Sequence, residues 1–122
     1  MANKKGINRL LGAFFYSIKG LGAAVKNEVA FRQEIVISLL LLPILFFLDI
    51  SGLVKLLILT SHLVVLIVEL INSAIEAVVD LVSPEYHELA KRAKDMGSAA
   101  VLISLISAGT FWVFGIYLAI DA

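Results

Sequence analysis

The sequence predicts an all-α membrane protein: three transmembrane helices preceded by an amphipathic helix lying on the membrane surface. Three observations carry this. Of the 122 residues, 61% are hydrophobic, well above the roughly 45–50% of an ordinary soluble domain. Three apolar runs reach the roughly 20 residues that a helix needs to cross a bilayer. Ahead of them lies a basic segment with helical periodicity.

In that first segment Ile7, Leu11, Phe14, Phe15, Ile18, Leu21 and Val25 recur at helical spacing. Lys4, Lys5, Asn8, Arg9, Tyr16, Lys19 and Lys26 take mostly other angles. A helix over about 7–26 with one apolar and one basic face suits the plane of the membrane. Arg9, Lys19 and Lys26 interrupt the apolar residues, so no signal peptide is expected.

The first span is expected over about 29–48, with a polar entry at Glu28, Arg32, Gln33 and Glu34. The second runs over about 53–82, longer than the bilayer requires, so its polar end should project from the hydrocarbon. Ser83-Pro84 and the charged stretch Glu85 to Asp95 follow. The third span is expected over about 96–120, where Ala100, Ser104 and Ala108 offer a small-residue face for close packing. Phe111, Trp112, Phe114 and Tyr117 gather near its far end as an interfacial aromatic belt. No Pro/Gly/Ser-rich linker or internal repeat divides the chain, so residues 1–122 are expected to form a single membrane domain. There is no cysteine, which excludes disulfides and thiolate metal sites.

Three spans put the N-terminal segment and the 83–95 stretch on one side. Lys4, Lys5, Arg9, Lys19, Lys26, Arg32, Lys91, Arg92 and Lys94 all lie there, and only Lys55 is opposite. The positive-inside rule makes the first side cytoplasmic, N-terminus included. Asp49 and Asp121 are expected in solvent on the far side.

The most informative stretch is Val68 to Asp80. Glu69, Asn72, Glu76 and Asp80 fall at offsets 0, 3, 7 and 11, within roughly 100° of arc on one helix face. A charge in or beside hydrocarbon is expensive, so such a stripe calls for a cation, a polar substrate or another helix. Asp80, Glu88, Lys91 and Arg92 have an ordinary use as snorkelling or capping charges. Glu69 and Glu76 fit that use poorly because of their depth. His62 shares the face of Glu69 in an apolar run and reads as an interhelical hydrogen-bonding residue.

Glu28, Glu76, Asp80, Glu85, His87, Lys94 and Asp95 converge on the cytoplasmic boundary. Carboxylates gathered with lysine suit magnesium-nucleotide chemistry, since magnesium takes oxygen ligands from one or two carboxylates plus substrate phosphates. Glu28 and Glu76 are the candidate metal residues, and Lys94 the candidate phosphate contact. Glu69 lies roughly 10 Å deeper than Glu76 by helical rise, where a lipid hydroxyl would sit and a carboxylate could take its proton. There is no G-x-x-x-x-G-K-[ST] loop. Two other classes stay open on spacing alone. An ion- or proton-coupled transporter could use Glu34 and Glu69, and an assembly protein could use the stripe for interhelical hydrogen bonds.

Asn27 to Glu34 (NEVAFRQE), Glu69 to Asp80 (ELINSAIEAVVD), Glu85-Tyr86-His87-Glu88 and Lys94 to Val101 (KDMGSAAV) resemble the prokaryotic diacylglycerol kinases over essentially the whole chain. The resemblance implies an integral lipid kinase of the bacterial inner membrane that transfers the ATP γ-phosphate to diacylglycerol, forming phosphatidic acid. It implies Mg2+ with ATP as co-substrate, contact with membrane lipids, a homotrimer with shared active sites, and no nucleic-acid partner.

The same resemblance gives Glu69 as the catalytic base, supported by Asn72 and Lys94, and Glu28 and Glu76 as magnesium residues. Arg9, Tyr16, Glu28, Glu76, Glu85, Tyr86, His87, Lys94 and Asp95 match nucleotide-side positions. Arg9, Ala13, Ser17, Arg32, Gln33, Glu34, Glu69 and Ser98 match lipid-side positions. Relatives that phosphorylate undecaprenol are the alternative, and the AFRQE string resembles the diacylglycerol branch more closely. The chain departs from the family pattern at Ile18, Val25 and Phe47, where tryptophan is common.

Overall fold

The computed structural model describes residues 2–121, with side chains from residue 5 onward. The side chain of Lys4 lies outside the described residues. Helix α1 spans Ala2–Asn27, α2 Val29–Leu41, α3 Gly52–Val82 and α4 Glu88–Asp121, and α2 continues as a 3₁₀ segment over Leu42–Phe47. No strand occurs among the described residues.

Three of these helical stretches, Val29–Phe47, Gly52–Val82 and Glu88–Asp121, are long and apolar enough to cross a membrane. The first does so with 19 residues because its end is stretched. Pro43 lacks a backbone donor and its ring opposes the preceding turn, so the chain tightens into the 3₁₀ segment with Pro at its start. Thirteen α-helical and six 3₁₀ residues together reach roughly 30 Å, about the hydrocarbon thickness.

Helix α3, at 31 residues, is about 46 Å long by its rise. It starts sharply: Ser51 Oγ accepts from the Val54 amide at 3.3 Å as N-cap. Counted from there, a core of ~30 Å takes about 20 residues and ends near Asn72. Counted from the N-cap, Glu69 lies just within that length, and Glu76 and Asp80 beyond it.

Helix α4 differs from expectation at its start. Glu88 to Asp95 form its first two turns, so the connection is only Ser83–His87. The physical reason is local. His87 caps the helix, its Nδ1 accepting from the Leu89 amide at 3.0 Å. Glu88 occupies the first turn, where a negative charge is favoured, and Lys91 pairs with Asp95 one turn later at 2.7 Å. Helix α1 also begins earlier than its periodicity indicated, at Ala2 rather than near Ile7.

Helices α3 and α4 are the principal packed pair. Buried Ile58, Ser61, His62, Val65 and Glu69 face buried Gly97, Ser104, Ala108 and Gly115. The spacing of three, four and seven is that of an interhelical seam. Without a hydrophobic drive inside lipid, close backbone approach and dispersion hold such a pair together, which favours small residues. A Cβ on Gly115 would stand 2.8 Å from Ile58 Cδ1, and Ile58 is fully buried. Of the expected small face, Ser104 and Ala108 are buried but Ala100 is exposed. Gly97 and Gly115 complete the seam instead, each seven residues from Ser104 or Ala108 on the same face.

A polar tether joins the three spans. Trp112 Nε1 donates to His62 Nε2 at 2.7 Å, and His62 Nδ1 lies 2.8 Å from Ser38 Oγ. The indole can only donate, so Nε2 must be the unprotonated nitrogen and Nδ1 carries the hydrogen toward Ser38. The rings meet edge to face, with centroids 6.0 Å apart. His62 is thus the interhelical residue anticipated from sequence. Trp112, expected in the interfacial belt, turns inward because its only polar atom finds a buried acceptor there. The other two buried serines need no partner helix: Ser61 and Ser104 bond carbonyls three residues back on their own helices.

Trp112→Phe should lower stability in mild detergent by about 1 kcal/mol, within the range of interhelical hydrogen bonds in membranes. The same change made in a His62→Leu background should cost distinctly less, measured by denaturant unfolding. Strict additivity of the two substitutions would count against the bond.

Candidate functional site

The polar residues concentrate at the end of the bundle where α1 meets α2 and α3 meets α4. The α1–α2 junction is a break at Glu28, whose backbone is extended (φ −113°, ψ 108°) and whose side chain caps nothing. The Glu28 carboxylate is therefore uncommitted to the helix start. Arg32, one turn into α2, reaches back instead. Its guanidinium donates to the Val25 carbonyl at 2.7 Å and the Lys26 carbonyl at 2.9 Å. A cation satisfying the last carbonyls of a helix is favoured by both hydrogen bonding and the helix dipole. Arg32 fixes the elbow between the surface helix and the first span.

Beside the elbow is an open groove of about 420 Å3 between α1 and α3, with Ser17, Glu28 and Ser73 on its polar edge. Its walls are mostly small residues, including Gly20, Ala24, Ala74 and Ala77. Beyond the hydrocarbon, a second cavity of about 340 Å3 lies between the end of α3 and the start of α4. Asp80, Glu85, Tyr86, His87, Lys91 and Lys94 line it. Lys94 Nζ is 2.5 Å from Asp80 Oδ1 across this cavity. The pair is more than a third exposed on both sides, so it contributes little to stability and exchanges partners readily.

Between these openings runs the acidic stripe of α3. Glu69 is 5% exposed, Asn72 and Glu76 are half-buried, and Asp80 is exposed. Glu34, Glu76 and Glu28 lie close enough to Glu69 for their charges to act on it. Four carboxylates from three segments thus share one electrostatic neighbourhood, with Glu69 the deepest. Like charges gathered around one buried carboxylate favour a cation or a proton at that place.

Four of the residues assigned to the nucleotide side from sequence, Glu85, Tyr86, His87 and Lys94, come together around the second cavity. Asp95 is exposed and paired with Lys91. Ser17 and Glu28 share the first groove. Arg9, Ala13, Tyr16, Gln33 and Ser98 are exposed and line neither opening. Tyr16 lies beneath the Lys19 ammonium, 5.8 Å from its ring centre. Three features escaped the sequence reading: the cap that Arg32 gives α1, the N-cap role of His87, and Ser73 in the groove. For His87 the signal was present, since a side-chain acceptor followed by Glu88 and a helix-forming run marks a helix start.

The family model for prokaryotic diacylglycerol kinase matches residues 15–116. A diacylglycerol kinase of Escherichia coli K12 is 54% identical over 110 residues, 90% of each chain. One from Pseudomonas aeruginosa is 48% identical over 107 residues, 88% of this chain and 87% of the other. One from Haemophilus influenzae is 44% identical over 112 residues, 92% and 95% of the two.

Arg32→Ala should release the end of α1 while leaving the α3–α4 pair intact. Hydrogen exchange should quicken over residues 21–28 and stay unchanged in the middle of α3. Unchanged protection at the elbow would show that the guanidinium is not what holds it.

Proposed function

This chain belongs to the prokaryotic diacylglycerol kinase family and is an ATP-dependent lipid kinase of the membrane, and we propose that it performs phosphoryl transfer at the acidic stripe of α3. The reaction converts diacylglycerol to phosphatidic acid. The observation that carries the proposal is the depth of Glu69: a buried carboxylate just inside the hydrocarbon boundary, beneath a cluster of more exposed charges.

A diacylglycerol molecule anchored by its acyl chains presents its free hydroxyl near that depth. Glu69 accepts the hydroxyl proton as the oxygen bonds to the γ-phosphorus and the bond to the departing ADP oxygen breaks. Phosphoryl transfer is governed chiefly by positioning and charge stabilisation. Asn72 supports the centre, and Lys94 leaves Asp80 to neutralise phosphate oxygens. Tyr86, Glu85 and His87 border the cavity for the rest of the nucleotide, with Arg9, Tyr16 and Asp95 on the same side. Ala13, Ser17, Arg32, Gln33, Glu34 and Ser98 make up the lipid side.

Among the described residues no three acidic or histidine side chains cluster as an enclosed metal site. Glu28 and Glu76 offer two carboxylates, a donor set that suits magnesium, which commonly fills its remaining positions with water and substrate phosphates. Bound there, magnesium would offset negative charge on the phosphates. The protein's own share is to present Glu28 at the break between α1 and α2 and Glu76 on the acidic stripe of α3.

Both openings in the single chain are grooves rather than enclosed sites, which supports a homotrimer whose sites are completed between subunits. Nine of the ten Lys and Arg residues at the stripe's end of the bundle support a cytoplasmic location for that end, in a bacterial inner membrane.

Purified protein in mixed micelles should convert diacylglycerol and ATP to phosphatidic acid. Activity only on undecaprenol would move it to the sister specificity, and activity on neither would overturn the reading. Glu69→Gln should depress turnover by roughly 10²–10⁴ with nucleotide binding nearly intact. Glutamine can still hydrogen-bond between helices, so near-normal turnover would leave Glu69 a purely structural role. Glu28→Gln and Glu76→Gln should raise the magnesium concentration needed for half-maximal activity. Chains inactive through Glu69→Gln, mixed with chains inactive through Glu28→Gln, should recover part of the activity. No recovery despite proven subunit mixing would confine the site to one chain.

A further inference from the structure

One turn beyond Glu69, on the same face of α3, Asn72 is half-buried. Its Oδ1 is inaccessible to solvent and has no hydrogen-bond partner. This is unusual, because a buried acceptor left unpaired costs about 1–3 kcal/mol. Helix α4 approaches at this point through Gly97, itself buried. A Cβ on Gly97 would overlap Asn72 Oδ1 and stand 3.1 Å from its Cγ. The carboxamide therefore occupies the space that a side chain at position 97 would fill.

Shape, not hydrogen bonding, holds the group. On α3 the Asn72 backbone is fixed by the helix. On α4 the glycine offers a notch and, at most, a weak C–H donor. The other tight glycine of the seam, Gly115, differs in kind. What a Cβ there would meet is the terminal carbon of Ile58, the flexible end of an apolar side chain.

We propose that Gly97 is a positioning residue for the kinase reaction: its missing side chain forms the notch that seats the Asn72 carboxamide beside Glu69. The inference rests on the reading of Glu69 and Asn72 as the reaction centre. An added methyl at 97 forces the carboxamide out of the seam or pushes α4 away from α3. Either displaces a polar group next to the reacting hydroxyl, where a shift of about 1 Å can lower the rate by as much as 10²-fold.

Gly115→Ala is the matched control, since it adds the same methyl to the same seam far from the carboxylates. Gly97→Ala should lower kcat by about ten- to a hundredfold with a small change in KM, and Gly115→Ala should lower thermal stability with kcat within about twofold. The side-chain amide resonance of Asn72, followed by ¹⁵N NMR in micelles, should move in Gly97→Ala and stay in place in Gly115→Ala. In an Asn72→Ser background, which removes the carboxamide, Gly97→Ala should cost little further activity. Were Gly97→Ala alone unable to fold, the Asn72→Ser background should restore folding. Wild-type kcat in Gly97→Ala, equal losses in both glycine variants, an unmoved Asn72 resonance, or no relief from Asn72→Ser would each overturn the proposal. The resonance test needs no turnover, so a protein inactive on every lipid alcohol would remove the kinase reading while still deciding whether the notch seats Asn72.

Discussion

The close approach of α3 and α4 is the constraint on which the remaining structure depends. In lipid, two apolar helices gain little by touching each other rather than acyl chains. What brings them together is the fit of Gly97, Ser104, Ala108 and Gly115 against Ile58, Val65 and Glu69. The pair then acts as a rigid antiparallel post. Helix α2 joins it through Ser38, His62 and Trp112, and α1 joins through the elbow that Arg32 closes. The chain is anchored to its centre by shape and to its periphery by a few directed hydrogen bonds.

That post also sets the depth of the acidic stripe. Because α3 begins at a firm N-cap and is longer than the hydrocarbon is thick, its acidic stripe passes through the boundary rather than stopping at it. Glu69 is buried, Glu76 is partly covered and Asp80 is open to water. One helix face thereby runs from a buried carboxylate to one open to water, the span that the proposed reaction needs. A lipid kinase must bring together two substrates that do not share a solvent, and a helix crossing the interface does so without a large domain.

Several contacts of the single chain have a provisional character. Lys94 is held by Asp80, Asp95 by Lys91, and the grooves beside Glu28 and Lys94 are open. Exposed ion pairs are weak and trade partners at little cost. The firm bond of His62 and Trp112 lies about two helical turns from Glu69, and those of Arg32 hold the elbow. Rigidity is thus concentrated in the scaffold, while the charged groups at the open end of the bundle are held only by exposed pairs.

Sequence by itself determined the fold class and named the residues of the candidate site. Hydrophobic runs must be satisfied as helices in lipid, so the spans could be read from composition and length. The stripe Glu69, Asn72, Glu76, Asp80 followed from the 3.6-residue period alone. His62 was legible as an interhelical residue because an isolated polar group in hydrocarbon needs a partner. The tertiary structure decided which partners were found. It turned Trp112 from the interface to His62, gave Arg32 to the end of α1, extended α4 back to Glu88, and placed Gly97 against Asn72. These depend on the angle and register at which separate helices meet, and periodicity within one helix carries no information about where the next will touch it.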